Sequence, residues 1–190
     1  MLAILLGVVL GNVLQGMALD ARGNYTGHWL EFLNPYALMV GVTTLALFMM
    51  HGAIYLLMKT EGRLYAKLTL LLKRAIIFFI VSFSLVTLYT LIYIPHLTDR
   101  FANNPGLFIV PVLAFLSIAN IPRLASKHKY LQAFIFSALS VASLLVVVAI
   151  ELYPVLILST LDPAYNLTIY NAYSSEKSLE IMLIIAAIGT

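Results

Sequence analysis

The chain has 190 residues, 62% of them hydrophobic and only 10% charged, with a mean hydropathy of +1.00. Soluble domains carry about 25% charged residues and roughly half apolar ones, so a soluble core of this length could not hide that much apolar surface, and lipid must be the solvent for most of it. The absence of cysteine removes disulfides, cysteine-ligated clusters and C-x-x-C-H haem attachment, and the net charge of +3 is too small and too spread out to suggest nucleic acid.

Six apolar spans predict an all-α, polytopic transmembrane bundle, read as a single integral membrane domain over 1–190. The first span covers roughly 1–19. A signal peptide is its rival reading and fails on two counts: there is no positive n-region, and Asn12 and Gln15 interrupt the apolar run. These two amides are three residues apart and share a face beside the Gly7-x-x-x-Gly11 pair. Small residues let helices approach and amides bond across the contact, so helix packing is preferred to a substrate site.

The second span, 35–58, carries His51. At 100° per residue Thr44 falls about 20° and Tyr55 about 40° from it, with Gly41 and Gly52 flanking at about 80° and 100°. One broad polar and small-residue face is expected to look at protein, with His51 a neutral imidazole bonded across a helix contact. In the loop 59–74, Leu64, Leu68, Leu71 and Leu72 recur at helical spacing with Arg63, Lys67, Lys73 and Arg74 off the stripe. A short interfacial helix is predicted there, a basic anchor in the headgroups rather than a docking surface.

The third span is 75–95 and the fourth 106–122, whose Pro111 and Pro122 predict a kink or tilt. The fifth is 131–153, and a sixth begins near 179 and is expected to be cut short by the end of the sequence. Glu151 and Glu180 stand at span ends, where a carboxylate can admit protons or contact a quinone headgroup; with Tyr153 adjacent, an interfacial position is preferred for both. The fragments R-L-Y-A-K at 63–67 and R-L-A-S-K at 123–127 are faint support for an internal repeat.

Eight of the eleven Lys and Arg lie in the loops 59–74 and 123–130. The positive-inside rule makes these loops cytoplasmic, so the first span runs from inside to outside. The two N-x-T sequons, at Asn24 and Asn166, then fall in outer loops.

The chemistry-bearing residues are few. His28 lies in a loop, His96 follows Pro95 at a span end, and His128 sits between two lysines, so His51 has no second buried histidine for a bis-histidine haem. Met39, Met49, Met50 and Met58 could supply an axial ligand but read first as core filler. H-x-x-x-H spacing, Walker loops, dinucleotide turns and G-x-S-x-G elbows are absent.

The stretch L-N-P-Y-A-L-M-V-G-V-T-T-L-A-L-F-M-M-H-G-A-I-Y-L-L-M-K-T-E-G at 33–62 resembles subunit II of the cytochrome bd-type quinol oxidases. G-N-V-L-Q-G-M-A-L-D at 11–20 and Y-N-A-Y-S-S-E-K-S-L-E-I-M-L-I-I-A-A-I-G at 170–189 resemble the same subunit, in the family's order. The resemblance implies a fragment matching the fourth through most of the ninth helix of a nine-helix subunit, in a prokaryotic plasma (inner) membrane. The family's segments of the types D-G-F-D-L-G and W-D-G-N-E-V-W, which hold its intramembrane acids, would lie upstream of Met1, so no proton-path residue is carried over. The resemblance further implies a complex that oxidises quinol and reduces O₂ to water. Two b-type haems, one d-type haem and the quinol-binding loop would belong to the partner, subunit I. A small accessory subunit, lipid and quinone are the other expected partners. No residue here is assigned a catalytic, cofactor-binding or metal-binding role, and His51 is not expected to ligate haem. A secondary transporter with broken helices, and a pure assembly scaffold, are the alternative readings.

Overall fold

The computed structural model describes residues 1–94, 97, 101 and 104–189. Among the described residues the α-helices with both ends placed are α1 (Leu2–Gln15), α2 (Pro35–Leu57), α3 (Gly62–Tyr93), α4 (Ile109–Ser126), α5 (Tyr130–Leu152) and α6 (Glu176–Gly189). Among the described residues four apolar stretches are long enough to cross a membrane: α2, α3, α5, and α4 taken with the single 3₁₀ turn Pro105–Phe108 before it. Only 22% of the most apolar window of α3, and 22% of that of α5, is buried inside the protein. Large side chains such as Leu85, Leu88 and Ile92 instead point outward, as expected where lipid is the solvent. His96 and Pro95 lie outside the described residues.

α2 is the hub, packed against α1 and α3 and over a shorter stretch against α5, while α4 and α5 form a hairpin. Lipid tails are as apolar as leucine, so burial from water does not hold helices together here; close packing and bonds between helices must. The α1–α2 contact shows this directly. A Cβ on Gly11 would lie 2.6 Å from the Ala37 Cα, and one on Gly7 2.6 Å from the Gly41 Cα. Asn12 then ties the pair together: its amide donates to the Val8 and Phe32 carbonyls, 2.8 Å each, and its oxygen accepts from Asn34 Nδ2 at 2.9 Å. Asn34 itself caps α2, accepting from the Ala37 N–H at 2.7 Å, with Pro35 in the first turn where no N–H is needed. Packing is therefore what Asn12 and the Gly7–Gly11 pair do.

The basic leucine-striped segment is not a separate interfacial helix. Residues 62 to 93 form one helix of 32 residues, about 48 Å long at 1.5 Å per residue and so longer than the ~30 Å hydrocarbon core. No proline or glycine interrupts 63–93, and extending a helix avoids the cost of nucleating a second one. Leu68 and Leu72 enter the main core with Met50, Ile54 and Ile121, while Leu64 and Leu71 stay exposed. α4 in turn runs through Pro122 without interruption, and Pro111 sits in its first turn.

At one end of the bundle the segments after α1 and α5 bind each other. Met17 N–H donates to the Leu158 carbonyl (2.8 Å), Thr160 N–H to Met17 (3.0 Å), and the Ser159 hydroxyl to Leu19 (3.0 Å). Beside them the strands β1 (Val155–Ile157) and β2 (Leu167–Thr168) pair antiparallel. At the other end, α4 closes in a Schellman arrangement: Lys129 N–H donates to Leu124 and His128 N–H to Ala125. His128 occupies the left-handed position at φ 55° that glycine usually fills. Among the described residues α6 stands apart, exposed from 179 to 189.

Candidate functional site

Besides the Asn12–Asn34 pair, three groups of polar side chains among the described residues lie inside or at the edge of the spans. The first centres on His51, 16 residues into α2. Its Nδ1 lies 2.8 Å from the Ser137 Oγ of α5, and its ring stacks on Phe134 with centroids 4.6 Å apart and planes at 28°. The Ser137 hydroxyl, fully buried, donates to the Phe134 carbonyl at 2.8 Å. A serine has one proton to give, so Ser137 accepts from His51, whose Nδ1 must carry the hydrogen. This is the bond across a helix contact that the sequence predicts.

The rest of the expected α2 face divides. Tyr55 shares Phe134 with His51, its ring 5.9 Å away. Thr44 does not join them: its Oγ1 donates to Val40 and stands 2.5 Å from where a Cβ on Gly7 would be, so it faces α1 together with Gly41. Gly52 faces open space. Thr44 and His51 share an angle about the axis but differ by about 10 Å in height, and at those heights α2 meets different neighbours.

The second group lies toward the opposite end of α2. Tyr36, 2% exposed, donates to Thr90 Oγ1 of α3 at 3.1 Å, since the Thr90 hydroxyl already donates to Val86. The Glu151 carboxylate lies within electrostatic reach of Tyr36, and its Oε2 is buried. Glu151 is half-buried one residue from the end of α5, and Glu180 is exposed. Gln15 also buries its Oε1, which has no hydrogen-bond partner among the described residues.

The third group is the turn after α4. His128 Nδ1 lies 2.9 Å from the Tyr130 hydroxyl and 3.3 Å from that of Tyr65, and the two hydroxyls are 3.0 Å apart. These contacts hold the strained His128 and join α3 to α5. Sequence reading missed this triad, the Tyr36–Thr90 bond and Ser137 alike. The available signal for the last was Ser137, Ser140 and Ser143, spaced by three in an otherwise apolar helix and all buried.

Among the described residues no two histidines are placed to hold one haem iron between them. His28 precedes α2 in an exposed loop, where its Nδ1 accepts from the Leu30 N–H. His51 lies about 24 Å along α2 from that helix's start, and Ser137 about 12 Å along α5 from the turn holding His128. No two of these three can share one iron, and the His51 ring has a face against Phe134 and one nitrogen on Ser137. Met50 is buried in the core and Met49 is exposed. No cluster of three or more potential metal ligands occurs among the described residues.

Comparison with known proteins identifies the family. The sequence model of cytochrome bd terminal oxidase subunit II matches residues 1–190. The chain belongs to this family. It is 29% identical over 215 residues to the probable cytochrome oxidase subunit 2 of Haemophilus influenzae, covering 98% of this chain and 57% of that protein. It is 26% identical to the cytochrome bd-I ubiquinol oxidase subunit 2 of Escherichia coli K12, covering 97% and 57%. It is 27% identical over 186 residues to the cytochrome bd ubiquinol oxidase subunit 2 of Bacillus subtilis, covering 95% and 53%. The chain therefore spans little more than half the length of these relatives. None of them favours the transporter reading.

Proposed function

We propose that this chain is part of the non-haem subunit of a cytochrome bd-type terminal oxidase, in which it supplies scaffold and assembly surface. The complex oxidises quinol and reduces O₂ to water. The observation that carries this reading is the family match along all 190 residues. Haems b and d and the quinol-binding loop belong to subunit I; a small accessory subunit, lipid and quinone complete the partners. Residues 1–190 act as one integral domain of a prokaryotic plasma membrane, with loops 59–74 and 123–130 in the cytoplasm. Support for a scaffold role comes from the polar groups inside the spans: Asn12, Tyr36 and His51 each bond to a neighbouring element.

The test is to express the full-length subunit with subunit I and purify by a tag on this subunit. A haem b and d spectrum and quinol-dependent O₂ uptake are expected to co-purify. Recovery without haem absorbance, together with substrate uptake into vesicles, would overturn the proposal in favour of a transporter. The piece 1–190 alone is expected to show no Soret band.

A further inference from the structure

Where α4 and α5 leave the apolar zone, a cleft of about 400 Å³ opens between them. Its polar lining is Arg123 from the last turn of α4, Lys127 and Lys129 from the connecting turn, and the amides Asn120, nearly two turns before the end of α4, and Gln132, in the first turn of α5. Ile135 and Phe136 lie one turn deeper along α5 and form an apolar wall. Among the described residues none of the three cations forms an ion pair or a side-chain hydrogen bond. Three positive charges are thus held at one cleft with no acid in contact to neutralise them.

We propose that this cleft binds the phosphate of an anionic membrane phospholipid, with the upper acyl chain against Ile135 and Phe136. Arg123 presents a planar fork suited to paired phosphate oxygens, the lysines add point charges, and the amides donate to the remaining oxygens. The position favours a lipid over a dissolved anion, because the same cleft joins a cationic rim at headgroup depth to an apolar wall below it. Basic pockets between helices at a membrane surface take such headgroups. Arg63, Lys67, Lys73 and Arg74 are strung along α3 and do not line the cleft. The inference is independent of the redox assignment.

Native mass spectrometry of the intact membrane complex, delipidated in detergent and titrated with dioleoylphosphatidylglycerol, tests it. Phosphatidylglycerol should bind in preference to phosphatidylcholine. Arg123→Gln, Lys127→Gln and Lys129→Gln should each weaken it about fivefold, and the triple variant by about a hundredfold. Lys59→Gln, Arg63→Gln and Lys67→Gln combined remove the same charge away from the cleft and should leave that binding unchanged. If the first triple variant does not assemble, Gln132→Trp fills the cleft without altering a charge and should also lose the lipid. Equal losses in both triple variants, or equal retention of the two lipids, would reduce the effect to diffuse surface attraction and overturn the site. Displacement by millimolar inorganic phosphate would mark a soluble-anion site and overturn the lipid assignment.

Discussion

Replacing His51 separates a structural histidine from a proton carrier, and the geometry sets the expected size. The change removes one bond, His51 Nδ1–H to Ser137 Oγ at 2.8 Å, and one ring stack on Phe134. Ser137 keeps its own donor satisfied through the Phe134 carbonyl, so only an acceptor lone pair is orphaned. Hydrogen bonds inside membranes average about 0.6 kcal/mol in double-mutant cycles, and an aromatic stack contributes about 0.5–1.5 kcal/mol. His51→Leu should therefore destabilise the folded complex by about 1–2 kcal/mol. Sequence reasoning alone would choose Gln as the conservative replacement, for its reach. Because the bonding atom is Nδ1, whose place the Asn amide matches more closely, His51→Asn should retain the bond and lose only the stack.

The assay is thermal denaturation of the purified complex, with quinol-oxidase turnover measured on the same samples. His51→Asn should keep turnover and lose less stability than His51→Leu, and a cycle with Ser137→Ala should give a coupling of about 0.6 kcal/mol. A coupling of zero would show that the bond contributes nothing. Normal assembly and melting of both His51 variants, accompanied by loss of turnover in both, would refute the structural reading. Neither Asn nor Leu titrates, so only a protonation role penalises them equally.

Other measurements probe the packing, the 20–24 turn and the topology. Gly11→Ala places a methyl 2.6 Å from the Ala37 Cα, and the overpacking should cost about 1–3 kcal/mol, read as a lower melting temperature of the complex; an unchanged melt would show that α1 is free to move away. The Asp20 carboxyl is held below its ordinary value of 3.8, first by the Asn24 backbone N–H and then, against some desolvation, by that of Arg22. Its support of the 20–24 turn should be complete above about pH 4 and fade as pH falls through the depressed pKa. Protection of the Asn24 amide, measured against its intrinsic exchange rate at each pH, should therefore fall in acid, and Asp20→Asn should flatten that dependence. The chain lacks cysteine, and Ala66, Ser126 and Ala164 are all exposed. Cysteines at the first two should resist an impermeant thiol reagent in intact cells and one at Ala164 should react; labelling of the first pair from outside would invert the orientation.

The amino-acid sequence by itself determined the solvent, the helices and the family. Hydropathy is a local sum, so the second and fifth spans, read at 35–58 and 131–153, lie within a residue of α2 and α5. The thirty residues 33–62 carried the family resemblance that the match over 1–190 established. Periodicity also placed His51 on a face that must find a partner, and Asn12 beside Gly7 and Gly11. Tertiary structure decided which partner each would find. Ser137 lies 86 residues from His51, and nothing local to either announces the other. The polar face of α2 was expected to act as one surface, yet Thr44 meets α1 and His51 meets α5. Glu151 comes within electrostatic reach of Tyr36 because α5 packs near that end of α2 through Val148 and Leu152. The physical reason is common to all three. Residue spacing fixes a side chain's angle about its own helix, whereas the neighbour it meets depends on the height at which another helix crosses, and that is settled only when the helices pack.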